Sequence, residues 1–437
     1  MKFYSINRRS PSVDLREAVM NGLAPDGGLY MPEQIPRIPK AFFNNISSMT
    51  LRDIAFVVTD MILGKDIPSA VIRQIVYDTF SFDIPLVGLS PDVFSLELFH
   101  GPTKAFKDIG ARFLARVISH YSSRSPSRKV KVLVATSGDS GAAVAAGFHG
   151  VPGVETYILY PSGGLSRSQV ARLCLPGSSV KPIEVLGTFD DCQRLVKQAF
   201  VDRSLRDNFG ITSANSINIC RLLPQMVYFF YAYAMLSARE EMSGKHLDSP
   251  VVFSIPSGNL GNLTAGLLAR RMGLPVDRFV VANNSNDVTA RFVTTGEFTP
   301  RRAERTVATA MDVGNPSNIS RVIDLLEKDH ETPEACMRGY SLTDSEIEEV
   351  IRSVYTDSGV ILDPHSATAL GALRRDLRGG EKGIFLSTAH PSKFPKVIER
   401  ITGVRLEPDN LPPAPHRSAP HPRISVSYDA LRRLISV

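Results

Sequence analysis

The chain has 437 residues, 43% apolar and 22% charged, the balance of a water-soluble protein with room for more than one packed core. Its net charge of +6 is scattered rather than gathered into basic clusters interleaved with aromatics, so no nucleic-acid partner is expected, only a mild attraction for anionic small molecules. Cys174, Cys192, Cys220 and Cys336 stand far apart, without Cys-x-x-Cys or His-Glu-x-x-His spacing, which argues against a metal site or a disulfide framework.

In chain order, residues 1–95 read as a first unit. Helical spacing is expected over Leu15–Gly22, Leu51–Leu63 and Ala70–Phe80, around a Pro25-Asp26-Gly27-Gly28 turn and a proline-marked loop. No catalytic signature falls here, so this mostly helical domain is expected to pack beside a site rather than to form one. The N-terminus has no apolar signal core, because Asn7-Arg8-Arg9 and Asp14 interrupt it.

From 96 to 405 short β-branched runs alternate with helical patterns. Strands are expected at Val130–Ala135, Thr156–Tyr160, Val180–Val185, Val251–Ile255, Phe279–Ala282 and Gly383–Leu386. Helices are expected at Asp108–Tyr121, Gly141–Phe148, Ser166–Leu175, Phe189–Val201, Asn218–Arg239, Asn262–Met272, Ser341–Ser353 and Ser366–Asp376. The alternation predicts an α/β fold with mainly parallel twisted sheets flanked by helices. The most apolar run, Met226 to Leu236, is too short and too rich in tyrosine to span a bilayer, so a reduced, cytoplasmic protein with no membrane partner is expected. Residues 406–437 form a proline-rich tail, expected to lie on the surface or on a partner subunit, with a short amphipathic stretch at Tyr428–Ile435.

Three stretches carry chemistry. In Phe99–Gly110 a Gly-Pro turn leads to Lys107 at the mouth of a helix, with Asp108 as its expected cap. The positive end of the helix dipole disfavours an ammonium there, which makes Lys107 a candidate Schiff-base nucleophile and general base. Thr136-Ser137-Gly138-Asp139-Ser140-Gly141 and Ser257-Gly258-Asn259-Leu260-Gly261-Asn262 are glycine-rich loops between a strand and a helix. Such loops present backbone N–H groups to anions. One lysine at a helix start and two anion cups are the constellation that pyridoxal phosphate needs: an aldehyde partner, a cup for its phosphate and a cup for a substrate carboxylate.

With these motifs the chain resembles the threonine synthase family, a group of fold-type II pyridoxal-phosphate enzymes. Phe99–Lys107 is similar to its lysine motif, Gly258–Asn262 to its phosphate loop and Ser137–Gly141 to its substrate-carboxylate loop. Leu386–Pro391 and the opening Leu23–Tyr30 are similar to two further motifs of that family, and the resemblance runs in order to about Gly403. It implies two α/β lobes with the cofactor between them, the smaller near residues 125–210, in a monomer or homodimer. It also implies that Gly258, Asn259, Leu260, Gly261 and Asn262 cradle the cofactor phosphate. Ser137, Gly138, Asp139 and Ser140 would receive the substrate carboxylate. Thr388 would face the pyridine nitrogen, with Ser387 as the competing hydroxyl, and Asn215, Ser216 and Arg221 would hold a substrate phosphate.

Asp139 is expected near the cofactor's phenolic oxygen, where it would need a proton or a tilted pose. Arg221 is expected in the first turn of a long helix, capped by Asn218, where dipole and guanidinium would act together on a dianion. Lys104 and Lys393 are further cations in these motifs, and Lys104 has no evident role. His100, His365 and His390 are given no catalytic part, since a lone histidine is more often structural. The function implied is conversion of O-phospho-L-homoserine and water to L-threonine and phosphate. The alternatives are a threonine or serine dehydratase, a phospho-lyase releasing ammonia, or a non-catalytic relative that has kept the fold. A dehydratase needs no second phosphate site.

Overall fold

The computed structural model describes residues 1–123, 130–136, 138–165, 167–175, 179–407 and 421–436. Two sheets carry the fold. The larger has six strands in the order Met337–Ser341, Arg278–Asn283, Val251–Pro256, Lys382–Ser387, Val93–Glu97 and Leu86–Gly88. All its pairings are parallel except the last, a hairpin. The smaller sheet has five strands in the order Arg423–Ile424, Val180–Val185, Val154–Pro161, Val130–Ala135 and Gly210–Ser213, all parallel. This is the expected α/β architecture, and its parallel strands are buried on both faces, as helix-covered sheets require.

Alternation along the strands sends neighbours to different cores. Phe253, Val281 and Leu386 join a core shared with the N-terminal unit and with the helix Lys107–Ser122. Val252, Val280 and Phe385 pack on the opposite face against Leu370 and Leu373. Leu133, Tyr157 and Ile183 face outward from the smaller sheet against Leu195 of helix Phe189–Val201.

The N-terminal unit has the expected helices, Leu15–Asn21, Leu51–Leu63 and Ser69–Thr79, together with Lys40–Asn45. Thr50 and Asp53 form a capping box that starts Leu51–Leu63. It also has a small antiparallel sheet of Lys2–Ser5, Val13–Asp14 and Tyr30–Pro32, strands too short to show a period in sequence. Leu86–Gly88 and Val93–Glu97 already belong to the large sheet, so the chain enters it before residue 95.

Four expected elements change. The helix expected over Ser166–Leu175 spans Arg167–Ala171, and Ser166 lies outside the described residues. The helix expected over Asn218–Arg239 is a 3-10 turn, Ile219–Arg221, and a separate helix, Gln225–Met242. Pro224 stands at the N-cap of the second helix and offers no N–H, so it donates no helical hydrogen bond back to the turn before it. The composition of Ile219–Met242 would allow it to cross a bilayer, but 83% of its apolar window is buried inside the fold, so it is a core helix. The helix expected from Ser341 starts at Asp344 and runs to Ser358, because Met337–Ser341 pairs with Arg278–Asn283 and Thr343 then caps the helix with Glu346. The end of the tail returns to its own small sheet. Arg423–Ile424 adds a strand beside Val180–Val185, and Leu431 and Ile435 of helix Tyr428–Ile435 are buried against Phe189–Val201. Residues 408–420, which include most of the prolines, lie outside the described residues.

Candidate active site

Lys107 opens the helix Lys107–Ser122, whose apolar residues Ile109, Phe113, Val117, Ile118 and Tyr121 are all buried as their spacing predicts. Asp108 does not cap this helix. Its carboxylate accepts from the Thr103 N–H (2.8 Å) and the Thr103 hydroxyl (2.7 Å), closing the preceding loop, and Phe106 stands at the N-cap. An N-cap side chain must lie outside the helix, and Asp108 is already inside its first turn.

The lysine loop is zipped to the end of a large-sheet strand. The Phe106 N–H donates to the Thr388 carbonyl (3.0 Å), Ala105 bridges Ala389, and the His390 N–H donates to the Lys104 carbonyl (3.1 Å). Lys104 takes a left-handed turn there, with φ 53°. This pairing puts Thr388 beside the lysine loop. The Ser387 hydroxyl bonds Ser95 (2.7 Å) on the neighbouring strand and is committed to the sheet, which leaves Thr388 as the hydroxyl at the strand end. Burial holds the Lys107 amine below the ordinary lysine value. Asp139 opposes that shift, and Lys393 and Arg221 add to it.

Gly258–Asn262 link strand Val251–Pro256 to helix Gly261–Arg271. Leu260 sits at the N-cap with φ 61° and offers no capping side chain, so the Gly261 and Asn262 N–H groups are left for a ligand, while the Leu263 N–H donates to the Asn262 side-chain oxygen (3.0 Å). A Cβ on Gly258 would lie 2.7 Å from the Ala310 carbonyl oxygen, so only glycine fits. The loop's side chains serve the scaffold. Asn262 donates to the Pro256 carbonyl (2.9 Å), and the Asn259 side-chain oxygen accepts from the Ser317 N–H and hydroxyl. His365 braces the opposite wall: its Nε2 accepts from the Ala310 N–H (3.1 Å), so Nδ1 carries the proton toward Asp363 (2.6 Å).

The second loop leads from strand Val130–Ala135 into helix Asp139–Phe148, with Gly138 at the N-cap. Gly138 has φ 149°, and the Thr136 hydroxyl accepts from the Gly138 and Gly141 N–H groups (3.0 and 2.8 Å). Ser140 is half-buried in the first turn, while Ser137 lies outside the described residues. The Asp139 carboxylate pairs with Lys393 Nζ at 2.8 Å. Burial by itself would raise Asp139, but Lys393 and Lys107 outweigh it and hold the carboxyl below its ordinary range. In the structure the Lys393 ammonium is the direct partner of this carboxylate. Sequence reasoning had placed Lys393 only as a nearby cation, since a lone lysine after a strand has no spacing that reveals its partner.

Asn215 and Ser216 follow strand Gly210–Ser213, and Arg221 reaches back to the same segment. Arg221 is 5% exposed. Its Nη1 donates to the Ala214 carbonyl (2.5 Å), while Nε is buried without a partner. Gly110 of the lysine helix makes room for it, since a Cβ there would lie 2.9 Å from Nε. Burial pushes this guanidinium down to about 10, with Asp108 opposing. Arg221 lies in a three-residue 3-10 turn, so the helix-dipole contribution expected from a long helix is absent. Asn215 exchanges hydrogen bonds with the Ala135 backbone (3.1 and 3.4 Å), tying this loop to the carboxylate loop. The Ser216 hydroxyl accepts from Asn318 (3.2 Å). Arg321, which no motif flagged, is fully buried and donates to the carbonyls of Tyr30, Ser216 and Ile217. Burial pushes it down to about 9.

These donors fit pyridoxal phosphate. The site offers an amine disposed to be neutral, an uncapped helix start closed by a glycine that no other residue could replace, and a strand-end hydroxyl. It also holds an unpartnered guanidinium nitrogen that the cofactor does not need. Residues 85–388 match the family described as pyridoxal-phosphate dependent enzyme, and residues 2–80 the family described as threonine synthase N terminus. Threonine synthase of Escherichia coli K12 is 38% identical over all of this chain and 99% of its own, and that of Saccharomyces cerevisiae is 32% identical over 94% and 91%. The crystal structure of the Escherichia coli enzyme superposes with a TM-score of 0.88 over 100% of this chain and 99% of that one. The pyridoxal-phosphate-bound threonine synthase of Brucella melitensis gives 0.89 at 30% identity, over 100% and 98%. The fold is that of a pyridoxal-phosphate-dependent lyase of fold-type II. Within that class, agreement along the whole length, N-terminal domain included, is specific: the chain belongs to the threonine synthase family.

Proposed function

We propose that this protein converts O-phospho-L-homoserine and water to L-threonine and phosphate, as a cytoplasmic monomer or homodimer. The observation that carries the reading is Arg221, a buried guanidinium whose Nε has no partner and whose charge acts on Lys107. A second anion site beside the reactive lysine calls for a substrate with its own phosphate, which a dehydratase substrate lacks.

Gly258, Asn259, Leu260, Gly261 and Asn262 hold the cofactor phosphate through backbone N–H groups, and Thr388 offers its hydroxyl to the ring nitrogen. When bound, pyridoxal phosphate supplies an electron sink conjugated to the substrate α-carbon. The N–H groups at the start of helix Asp139–Phe148, with Ser137, Gly138 and Ser140, orient the substrate carboxylate. Lys107, whose burial favours the uncharged amine, takes the α-proton and returns one at the end. Arg221, Ser216 and Asn215 hold the γ-phosphate while it leaves. The β-carbon loses a proton and gains the hydroxyl of water, and the γ-carbon gains a proton in place of the phosphate, so that one phosphate departs for each water consumed.

The test is phosphate release and amino-acid analysis with O-phosphohomoserine, repeated on Arg221→Ala. That variant is expected to keep cofactor binding and to lose kcat/KM on the phosphorylated substrate by about 2–4 kcal/mol, the range for a charge-assisted contact in a closed site. Elimination from unphosphorylated serine or threonine should change far less. An equal loss on both substrates would make Arg221 structural and return the dehydratase reading.

A further inference from the structure

Lys393 spans the cleft. It ends the short turn Pro391–Lys393 that follows the large sheet, and Asp139 begins the helix after strand Val130–Ala135 of the small sheet. Lys393 Nζ lies 2.8 Å from the Asp139 carboxylate and donates to the Thr103 carbonyl at 2.8 Å, with only 6% of its side chain exposed. One ammonium therefore touches both the carboxylate loop and the lysine loop. The charged groups facing Lys107 are Asp139, Lys393 and Arg221. Those facing Asp139 are Lys393, Lys107 and His365. Asp108, the other carboxylate facing Lys393, is already held by the Thr103 N–H and hydroxyl. Among the described residues, Asp139 is thus the one carboxylate facing Lys107.

We propose that Lys393 is a positioning residue: by holding the Asp139 carboxylate across the cleft as its own counter-charge, it deprives Lys107 of a counter-ion and keeps that amine free of a proton. A lone carboxylate beside Lys107 would stabilise its ammonium. A carboxylate already paired at 2.8 Å presents a nearly neutral dipole, and Arg221 then adds repulsion. The proton that Lys107 gives up goes to solvent. The pair also requires the loops of the two lobes to meet, so the charge state of Lys107 depends on how the lobes are seated. This inference rests on the reading that Lys107 is the lysine that binds the cofactor.

The experiment titrates the visible absorption band of the cofactor-loaded enzyme against pH. Removal of the wild-type band by borohydride, with the cofactor recovered on Lys107, tests the underlying reading separately, and failure there overturns both. Lys393→Met is expected to raise the midpoint of the band by about one pH unit or more, because Asp139 then acts on the lysine side alone. Asp139→Asn is expected to lower it. Lys393→Met combined with Asp139→Asn removes one charge of each sign and should return the midpoint toward wild type. A purely structural lysine would change cofactor occupancy or thermal stability and leave the midpoint where it was. An unchanged midpoint in Lys393→Met, or a double variant further from wild type than Lys393→Met, overturns the proposal. If Lys393→Met does not retain cofactor, Asp139→Asn decides: a midpoint that stays or rises overturns it.

Discussion

Arg321 is the residue on which the substrate side of the site should depend most for its shape. Its guanidinium gives five hydrogen bonds to four oxygens: two to Tyr30 O (3.3 and 3.0 Å) and one each to Ser216 O (3.1 Å), Ile217 O (2.7 Å) and Asn318 Oδ1 (2.6 Å). None of these acceptors is a carboxylate. One side chain thus ties the N-terminal strand, the Ser216 loop and the start of helix Ile319–Asp329 together. Arg321→Met keeps the apolar stem and much of the volume while leaving three backbone carbonyls without these donors. Each orphaned acceptor costs about 1–3 kcal/mol, or ~3–9 kcal/mol for the three. Relief from burying an unpaired charge returns several kcal/mol. The expected net loss is about 2–4 kcal/mol, read by equilibrium urea unfolding of the cofactor-free enzyme. A double-mutant cycle with Asn318→Ala should give a coupling of about 1–3 kcal/mol. With the Ser216 loop released, KM for O-phosphohomoserine should rise while cofactor affinity changes little. A loss below about 0.5 kcal/mol, or a gain, would show that the cost of the buried charge outweighs its hydrogen bonds and refute this account.

Two further outcomes are expected. Lys107→Ala should still bind the cofactor through the Gly258–Asn262 cup but lose the borohydride-sensitive band, with turnover falling by orders of magnitude; near-normal turnover would remove Lys107 from the reaction. Gly258→Ala would drive a methyl group to 2.7 Å from the Ala310 carbonyl. The backbone must then move by a cost of about 1–3 kcal/mol, seen mainly as weaker cofactor affinity in an equilibrium titration, and unchanged affinity would mean the cup does not close on that wall.

Elements that depend on a continuous local pattern were readable in advance. Val130–Ala135, Val180–Val185 and Phe189–Val201 have the spans their sequences predict, because a β-branched run or a 3.6-residue stripe needs no distant partner to be recognised. The candidate cups at Gly138–Gly141 and Gly258–Asn262 were readable for a related reason: a glycine-rich turn between strand and helix marks its own chemistry. What could not be read was pairing at a distance. Asp108 looked like a cap, and only the folded loop brings it the two Thr103 donors. The Asp139–Lys393 pair joins residues from two sheets. Arg321 is an ordinary helical arginine until Tyr30 and Ser216 fold over it. Arg221 was assigned to a long helix because apolar spacing continued through Pro224, and the proline proved the stronger signal.

The strand Arg423–Ile424 has a consequence for the order in which the molecule can be made. Val180–Val185 lies at the flank of the small sheet, and its outer partner, Arg423–Ile424, is supplied by residues made long after it. Until they emerge, that flank offers bare N–H and C=O groups to any other unfinished chain, the circumstance in which sheets join edge to edge. A chain cut short before residue 423 would keep every candidate catalytic group named above yet expose this seam permanently. Its failure would be recorded as aggregation during expression, with the chemistry of the soluble fraction intact.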